Sequence, residues 1–354
     1  MKRLGRIWPE LVSFDNLFNA YLKARKGKQS VPAVANYTLN LETELLSLQQ
    51  ELTDFTYNPG RYRLFTIYER KKRQIAAAPF RDRVVHHAIM NIIEPPIDRR
   101  FIFDSYACRQ GKGVHASVNR YQQWSKHYPY VLKMDIEQYF PSIDHQLLKA
   151  KLRYYLKDNY VLKVLDRIID TAPIACGRAD FYYFPGDDLL THTERTTGLP
   201  IGNLTSQFFA NLYLDGVDHF IKQKLQVRAY LRYVDDLVIL GRDKVQLHEI
   251  RENIHERLAQ DRLRLHPRKA HIYHTARGID LFGYQVFPHK RKLRNDNGHD
   301  FHRRLRKMAR LYHEGVLDWE EIHPRVRSWI GHAIHGETKG LRKTLFASTI
   351  FKRG

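Results

Sequence analysis

The stretch YLRYVDDLVILG, Tyr230–Gly241, sets two adjacent carboxylates, Asp235 and Asp236, between two apolar runs. Successive residues of a strand point to opposite faces, so a regular strand would drive one carboxylate into the core that its apolar neighbours fill. A hairpin with strands at 229–234 and 237–240 avoids that cost, because alternation breaks at the bend and both side chains can approach one cation. The alternative for an isolated Asp-Asp pair is an ordinary Asp-rich turn.

Composition narrows the class of protein. The 354 residues are 43% hydrophobic, which indicates a globular chain able to bury a sizeable core. Lys and Arg number 59 against 38 Asp and Glu, and the net charge of +21 with 12% aromatic residues favours a polyanionic partner. Nucleic acid is the first candidate and a membrane surface the second.

Neither a membrane span nor a secretion signal is predicted. No apolar run approaches the ~20 residues that a membrane helix needs, and the start of the chain lacks a signal-peptide pattern. We therefore expect a soluble cytoplasmic protein without a membrane partner. Cys108 and Cys176 are too few for a disulfide framework and form no CxxC pair, so both are expected to be reduced and structural.

The order of elements predicts an α+β fold with a small antiparallel sheet. Leu41, Leu45, Leu48 and Leu52 form an amphipathic helical stripe within the first 60 residues. A strand, a basic turn and a strand are predicted over 62–79, and an apolar strand over 130–135. Helices are predicted over 80–101, 142–156, 206–225 and 247–263, a Gly- and Pro-punctuated insertion over 176–200, and a single strand over IDLFGYQVF, residues 279–287.

The last fifth of the chain is strongly basic. Residues 288–354 hold 16 Lys and Arg against 7 Asp and Glu, so they contribute +9 of the +21. Phe301, Leu305, Met308 and Tyr312 repeat at helical spacing, with cations on the other faces. A basic helical segment gripping a duplex backbone is one interpretation, and a solvated charged face is the other.

A third carboxylate, Asp135, favours a functional site at the Asp pair over an ordinary turn. The strand YVLKMD delivers Asp135 to its end about 100 residues before the predicted hairpin, a spacing that fits a strand lying beside it. Three acids packed together repel unless divalent cations sit among them. Such a site suits two Mg²⁺ ions about 4 Å apart, which would activate a 3′-hydroxyl and stabilise a leaving group in phosphoryl transfer.

The ordered motifs resemble those of a reverse transcriptase. KMDIEQYF is similar to the first carboxylate motif, YVDD to the second, LRLHPRKAHI to the Lys-bearing motif, and GIDLFGY to the segment that grips the primer. RYRLFTIYERKKRQIAAAPFRDR and SYACRQGKGVHASV resemble the two finger motifs. The resemblance runs from about Tyr62 to SWIGHAIHG and implies a right-hand polymerase fold. It implies N-terminal helices and fingers over 1–129, a palm over 130–287 with an insertion at about 145–197, and a basic helical thumb over 288–354.

Within that family, the segment GLPIGNLTSQFFANLYLDGVD resembles the enzymes of diversity-generating retroelements. Most reverse transcriptases have Gln where this chain has Ile201, and Ser-Pro where it has Ser206 and Gln207. The subgroup copies a template RNA into cDNA with errors opposite adenine, in bacteria or their phages. It acts with a small basic accessory protein that forms a pentameric barrel. Alternatives are another bacterial reverse transcriptase, group II intron-like or defence-associated, and a non-catalytic scaffold that binds nucleic acid.

The resemblance assigns the chemistry to a few residues. Asp135, Asp235 and Asp236 would hold two Mg²⁺ ions, for which Mn²⁺ can substitute, with the backbone carbonyl of Ile136 as a further ligand. Lys269 would protonate the departing pyrophosphate, a surface lysine being the alternative.

It also assigns the binding of dNTPs. The family places a steric gate against the ribose 2′-hydroxyl at Phe140, and a plain core phenylalanine is the alternative. Arg73 with Lys71 or Lys72 would clamp the triphosphate, and a solvated basic turn is the alternative. Ile201 and Gly202 complete the dNTP-binding set that the resemblance predicts, and Gly202 would also shape the loop under the templating base.

Contacts to the template and primer strands fall on the remaining motif residues. Gly198 and Pro200 would shape the loop under the templating base, where glycine lets the backbone approach closely, unless the segment is an ordinary lead into a helix. Arg109 would touch the template. The full template and primer set that the resemblance predicts is Arg109, Gly198, Pro200, Ser206, Gln207 and Gly283.

Overall fold

The computed structural model describes residues 3–68, 72–172 and 182–354. The helices are α1 (Trp8–Leu11), α2 (Phe14–Arg25), α3 (Pro32–Leu39), α4 (Leu41–Thr53), α5 (Phe80–Asp98), α6 (Val114–Ser125), α7 (Tyr139–Ser142), α8 (His145–Tyr155), α9 (Asn159–Asp170), α10 (Thr191–Glu194), α11 (Leu204–His219), α12 (Lys244–Gln260), α13 (Asn295–His313), α14 (Trp319–Ala333) and α15 (Lys339–Ala347). The chain is therefore mainly helical and combines helices with small sheets, as the sequence predicts.

Three antiparallel sheets accompany the helices. The strands are β1 (Arg63–Tyr68), β2 (Lys72–Ala77), β3 (Tyr130–Asp135), β4 (Tyr230–Tyr233), β5 (Asp236–Gly241), β6 (His271–His274), β7 (Ile279–Leu281), β8 (Tyr284–Val286) and β9 (Arg291–Leu293). β1 pairs with β2, the central sheet has the order β4-β5-β3-β6, and the third sheet has the order β7-β8-β9.

The central sheet separates two hydrophobic cores. Leu132 and Met134 of β3 face the larger core, which the N-terminal helices and α11 complete. Val131 of β3 and Val238 of β5 face the smaller one, shared with the third sheet and α13–α15. The alternation follows from the two-residue period of a strand. Since both faces are covered, β3 and β5 can be apolar almost throughout while their polar residues gather at one end.

Several local predictions are confirmed. The hairpin is β4–β5, the predicted neighbouring strand is β3, and the Leu stripe belongs to α4, where Leu45, Leu48 and Leu52 are fully buried. Phe301, Leu305 and Met308 are the buried face of α13. Phe301 stacks on Trp329 of α14 with ring centroids 3.8 Å apart, so the apolar face of this basic segment is packed into the smaller core.

One prediction is wrong in kind. IDLFGYQVF is a hairpin, β7–β8, rather than a single strand. The chain reverses at Phe282 and Gly283, whose φ angles are +49° and +96°, the pattern of a two-residue turn that suits a twisted antiparallel pair. The bulky Phe at the first turn position hides this signal, because turns of this kind normally take Asn, Asp or Gly there.

Other departures are smaller. The helix predicted over 206–225 ends at His219 and continues as a π-helical turn, Phe220–Lys224. β6 and β9 are short and were not predicted. Cys108 is an exposed free thiol rather than a buried structural one, and Cys176 and the start of the insertion lie outside the described residues. Within the described ranges, no helix is both long and apolar enough to cross a membrane.

Candidate active site

The three predicted carboxylates meet at one end of the central sheet. Asp135, the last residue of β3, lies directly across from Asp236, the first residue of β5. Asp235 precedes it in the turn of the β4–β5 hairpin, which is closed by the pair Tyr233 and Asp236. Val234, the other turn residue, has a φ of +56°, a conformation unfavourable for a β-branched side chain. Strain of this kind persists only where surrounding structure imposes it.

Burial and the neighbouring carboxylates raise the pKa values of Asp235 and Asp236 and so disfavour their charged forms. Burial, the charge of Asp236 and, more weakly, that of Asp135 raise the pKa of Asp235 to about 6. Burial also raises the pKa of Asp236, while Lys133, whose ammonium lies 3.8 Å from its carboxylate, opposes that rise. Lys269 is the counter-ion of Asp135, and its ammonium donates a hydrogen bond of 3.0 Å to that carboxylate. Two lysines therefore partly neutralise the three carboxylates.

The donor chemistry of this cluster fits a divalent cation. Its oxygens are carboxylates, the ligands that Mg²⁺ and Mn²⁺ prefer, and a cation bound among them would relieve the repulsion that contributes to the raised pKa of Asp235. Across the described ranges, however, no three His, Cys, Asp or Glu side chains are already arranged to hold a metal ion. The carboxylates are thus brought together without forming a finished ligand cage.

Ile136 follows Asp135 beneath the cluster. Its side chain is buried, and its amide donates to the backbone oxygen of Asp235 at 3.2 Å, which ties the end of β3 to the hairpin turn. The role of its carbonyl as a metal ligand stays a prediction.

A buried arginine that the sequence reasoning missed holds the hairpin turn. Arg232 of β4 is fully buried and forms a forked ion pair with Asp218 of α11, with contacts of 2.7–2.9 Å. The same guanidinium donates to the carbonyl of Val234 at 3.1 Å and to Asn211 at 3.1 Å. Arg232 thereby fixes the left-handed residue just before Asp235. An arginine inside an apolar strand was the available signal, since a buried charge requires a partner.

The loop Gly198–Asn203 lies under strand β2. The amide of Ala76 donates to the carbonyl of Ile201 at 3.1 Å, and the side-chain amide of Asn203 donates to the carbonyl of Ala76 at 3.0 Å. Gly202 has a φ of +112°, and a Cβ there would stand 2.9 Å from Ile75. Glycine is therefore required at position 202 both by the backbone conformation and by the lack of space for a Cβ, as expected where the backbone of a loop closely approaches a neighbouring strand.

The front of the same loop joins the segment after Asp135. The amide of Gly198 donates to the carbonyl of Ile143 at 2.9 Å, and that of Leu199 donates to the carbonyl of Phe140 at 2.9 Å. Phe140 is partly buried at the edge of the larger core, and Pro200 is buried. These contacts place Phe140 beside the loop that carries Ile201, although neither predicted role in substrate binding is tested by them.

The side chains of two predicted nucleic-acid contacts, Ser206 and Arg109, face the interior of the protein. Ser206 is only 2% exposed within α11, whereas its neighbour Gln207 is exposed. Arg109 uses all five of its N–H donors inside the chain, on the side chain and carbonyl of Asp98 and on the carbonyls of Ile102 and Ser105. As placed, Arg109 anchors its own loop and presents no donor outward.

Two of the three residues predicted to bind the triphosphate, Lys72 and Arg73, lie at the start of β2. Both are exposed, opposite Tyr68 and Ile67 of β1. Lys71 lies outside the described residues.

The β7–β8 turn touches the β4–β5 hairpin. Phe282 packs on Tyr233 with ring centroids 4.6 Å apart, so the turn that contains Gly283 lies next to the carboxylate end of β4. Behind it, the hydroxyl of Tyr284 lies 2.9 Å from Nδ1 of His332 in α14 and 3.3 Å from Nδ1 of His115 in α6. Sequence spacing gave no sign of this histidine cluster, because its members come from distant elements.

Comparison with known proteins finds one matching family model and several relatives. The family model described as "Reverse transcriptase (RNA-dependent DNA polymerase)" matches residues 66–286, which include all three carboxylates. The Protein YkfC of Escherichia coli is 24% identical over 292 residues, covering 70% of this chain and 72% of that protein. The Group II intron-encoded protein LtrA of Lactococcus lactis is 22% identical over 185 residues, covering 51% of this chain.

A third relative comes from a eukaryote. The "Uncharacterized 91 kDa protein in cob intron" of Schizosaccharomyces pombe is 25% identical over 240 residues, covering 63% of this chain. The matches span less than a third of the intron-related proteins, 28% of the yeast protein and 29% of LtrA.

Proposed function

The chain belongs to the reverse transcriptase family, and from that premise we propose that it is an RNA-directed DNA polymerase with fingers, palm and thumb. The observation that carries the proposal is the convergence of Asp135, Asp235 and Asp236 at one end of the central sheet. In this assignment the palm spans 130–287, the N-terminal helices and fingers span 1–129, and the thumb spans 288–354.

The carboxylates would bind the catalytic cations. Asp135 and Asp235 would hold both ions, Asp236 would support them, and the carbonyl of Ile136 would add an oxygen. Two Mg²⁺ ions held by these oxygens would supply the positive charge that activates a primer 3′-hydroxyl and stabilises the leaving pyrophosphate. Lys269, which pairs with Asp135, would be released when that carboxylate turns to a cation. Its ammonium is then available to give a proton to pyrophosphate.

The incoming dNTP would lie between β2 and the sheet. Arg73, with Lys71 or Lys72, would bind the triphosphate through paired N–H donors. Phe140 would exclude a ribose 2′-hydroxyl by collision, and Ile201 with Gly202 would face the new base pair. The hydrogen bond between the amide of Ala76 and the Ile201 carbonyl supports this arrangement, because it couples the triphosphate-binding strand to the loop under the pair.

Template RNA and the primer strand would follow the exposed loop and the basic C-terminal helices. Gly198, Pro200 and Gln207 would lie along the template, and the turn at Gly283 would steady the primer end. Arg109 and Ser206 would act through the positions of their neighbours, since their side chains face inward.

Among reverse transcriptases, we place the chain in a diversity-generating retroelement of a bacterium or phage, acting in the cytoplasm. The support is the sequence pattern Ile201-Gly202, three residues, Ser206-Gln207. Its partners would be the template RNA, the growing cDNA and a small basic accessory protein forming a pentameric barrel. The similarity to LtrA favours a second candidate, a group II intron-like enzyme. A template repeat and an accessory gene beside the coding sequence would separate the two.

Primer extension by the purified chain tests the function. A DNA primer annealed to RNA should be extended with dNTPs in the presence of Mg²⁺, and adding co-encoded partners should raise the yield. Sequencing the cDNA should show errors concentrated opposite template adenine. Extension with errors spread evenly over the four bases would refute the retroelement assignment, and no extension under any condition would favour a scaffold.

A further inference from the structure

A groove of about 930 Å³ lies between the N-terminal segment and helices α8 and α9, and none of the catalytic carboxylates lines it. Its walls are firmly joined. The amide of Leu4 donates to the carbonyl of Tyr155 at 2.8 Å, and the amide of Lys157 donates to the carbonyl of Leu4 at 2.7 Å. Asp158 accepts from the amides of Ile7 and Trp8 at 2.9 and 3.1 Å. The groove is therefore a formed feature of the fold.

A cluster of three aromatic rings, each in contact with the other two, forms one wall. Trp8 stacks on Phe55 with centroids 5.2 Å apart, and Phe55 stacks on Tyr160 with centroids 4.8 Å apart. The ring centroid of Tyr160 also lies 5.9 Å from that of Trp8; Trp8 is buried, but Tyr160 is 49% exposed, so the cluster presents one ring to solvent. An exposed aromatic ring is a surface on which another flat group can stack.

Four cations line the groove, and three of them, Arg6, Lys157 and Lys163, have no counter-ion among the described residues, whereas Arg153 pairs with Asp166. Arg6, Lys157 and Lys163 are exposed, and within the described ranges no carboxylate or hydrogen-bond acceptor contacts their charged groups. Lys163 does face an aromatic ring, with its ammonium 5.8 Å from the centroid of Phe55.

The two acids that line the groove do not compensate this charge. Asp158 is engaged by four backbone amides, those of Ile7 and Trp8 and those of the first turn of α9. Asp166 is held by both terminal nitrogens of Arg153, at 2.5 and 3.1 Å. Among the described residues, three cations without ion-pair partners thus line the same groove as the exposed ring of Tyr160.

We propose that this groove binds a single-stranded segment of RNA outside the catalytic site. Phosphates would lie on Arg6, Lys157 and Lys163, and an unpaired base would stack on Tyr160, the combination of backbone charge and sequence-tolerant stacking that single strands require. A duplex does not meet this requirement, because its bases are stacked on each other. The proposal rests on the proposed function only in that the chain handles RNA.

The test measures binding of fluorescent oligo(U) of 30 nucleotides while a short primer–template hybrid saturates the catalytic site. Replacing Arg6, Lys157 and Lys163 together by Gln should weaken binding at least tenfold and lower the slope of log affinity against log salt by about 2, as expected for three phosphate contacts to a single strand. Tyr160→Ala should weaken binding about tenfold and leave that slope unchanged.

The matched control replaces three other exposed cations by Gln, namely Lys126, Arg242 and Arg277. These lie near the end of the central sheet that is opposite the three carboxylates. Its affinity for oligo(U) should stay within about twofold of wild type. All variants should extend a short primer–template hybrid at the wild-type rate. The two proposals can fail separately. If the wild-type chain extends no primer but still binds oligo(U) through the groove residues, the polymerase function is overturned and the groove proposal is supported.

Several results would overturn the groove proposal. One is unchanged oligo(U) affinity in both groove variants, and another is an equal loss in the control variant, which would indicate diffuse attraction. Full competition by poly-Glu without any effect of Tyr160→Ala would point to an acidic protein instead. If the triple variant fails to fold, photocrosslinking of wild type to RNA containing 4-thiouridine decides, because crosslinks must fall on the peptides of Trp8 or Tyr160.

Discussion

Replacing Asp235 by Asn should stabilise the metal-free protein while abolishing synthesis. Burial and the neighbouring carboxylates raise the pKa of Asp235 from 3.8 to about 6. At ~1.36 kcal/mol per pKa unit, the ionised carboxylate costs the fold up to about 3 kcal/mol at neutral pH. Because the site is partly open to water, we expect a gain of about 1 to 3 kcal/mol in the free energy of unfolding. With an unfolding entropy of ~2.1 cal/mol/K per residue, this raises the melting temperature by about 1 to 4 °C.

The pH dependence of this gain follows from the direction of the shift. Between pH 3.8 and about 6 the folded state holds a proton that the unfolded state has lost, so the stability of wild type falls as pH rises through this window. The advantage of Asp235→Asn should therefore be complete above pH 6 and vanish near pH 4. Asp15→Asn, an exposed substitution in the first turn of α2, is the control and should shift stability by less than about 1 kcal/mol.

Thermal unfolding in chelator at pH 4 and pH 8 checks this prediction. Adding Mg²⁺ at pH 8 should then raise the melting temperature of wild type and leave that of Asp235→Asn nearly unchanged, because only a ligand bound by the folded state stabilises it. A variant that is no more stable than wild type at pH 8, or equally stabilised at both pH values, would refute the electrostatic reasoning.

Three further predictions concern residues around the carboxylates. Phe140→Ala should raise incorporation of ribonucleotides by removing the ring that excludes the 2′-hydroxyl, and single-nucleotide extension with paired rNTP and dNTP would show unchanged selectivity if Phe140 is only a core residue. Ile201→Gln should lower errors several-fold opposite adenine more than opposite other bases, since one added hydrogen bond is worth ~0.5–1.5 kcal/mol; equal adenine error rates in sequenced cDNA would leave Ile201 a packing residue. Arg232→Met should destabilise the fold by ~3–5 kcal/mol, and adding Asp218→Leu should recover stability in urea but not kcat, because Val234 stays unheld; recovery of both would limit Arg232 to a structural role.

How far the sequence predicts this molecule depends on whether a feature is local. The hairpin at Asp235 and the strand ending at Asp135 follow from apolar runs interrupted by carboxylates, and their pairing follows from the cost of burying charge. The Phe282–Gly283 turn was missed, because a bulky side chain holds a position that normally signals a turn by a small one. The clamp from Arg232 to Asp218 was missed because its partners lie on different elements, and only packing brings them together.

The positions of the binding residues show the same limit. Motif resemblance named Arg109 and Ser206 as nucleic-acid contacts, yet the donors of Arg109 are used internally and Ser206 is buried. A motif records which residue type is needed, but the direction of its side chain depends on neighbours far along the chain. The groove beside Tyr160 was invisible for this reason, since Trp8, Phe55 and Tyr160 are widely separated in sequence.

The most direct test of the central claim is single-turnover addition of one dNTP to a primer on template RNA, with Mg²⁺ titrated, for wild type, Asp135→Asn and Asp235→Asn. If these carboxylates hold the catalytic cations, both variants should bind the primer–template hybrid with wild-type affinity and add nucleotide at least a thousandfold more slowly at every Mg²⁺ concentration. Addition by either variant at a rate near that of wild type would contradict the account.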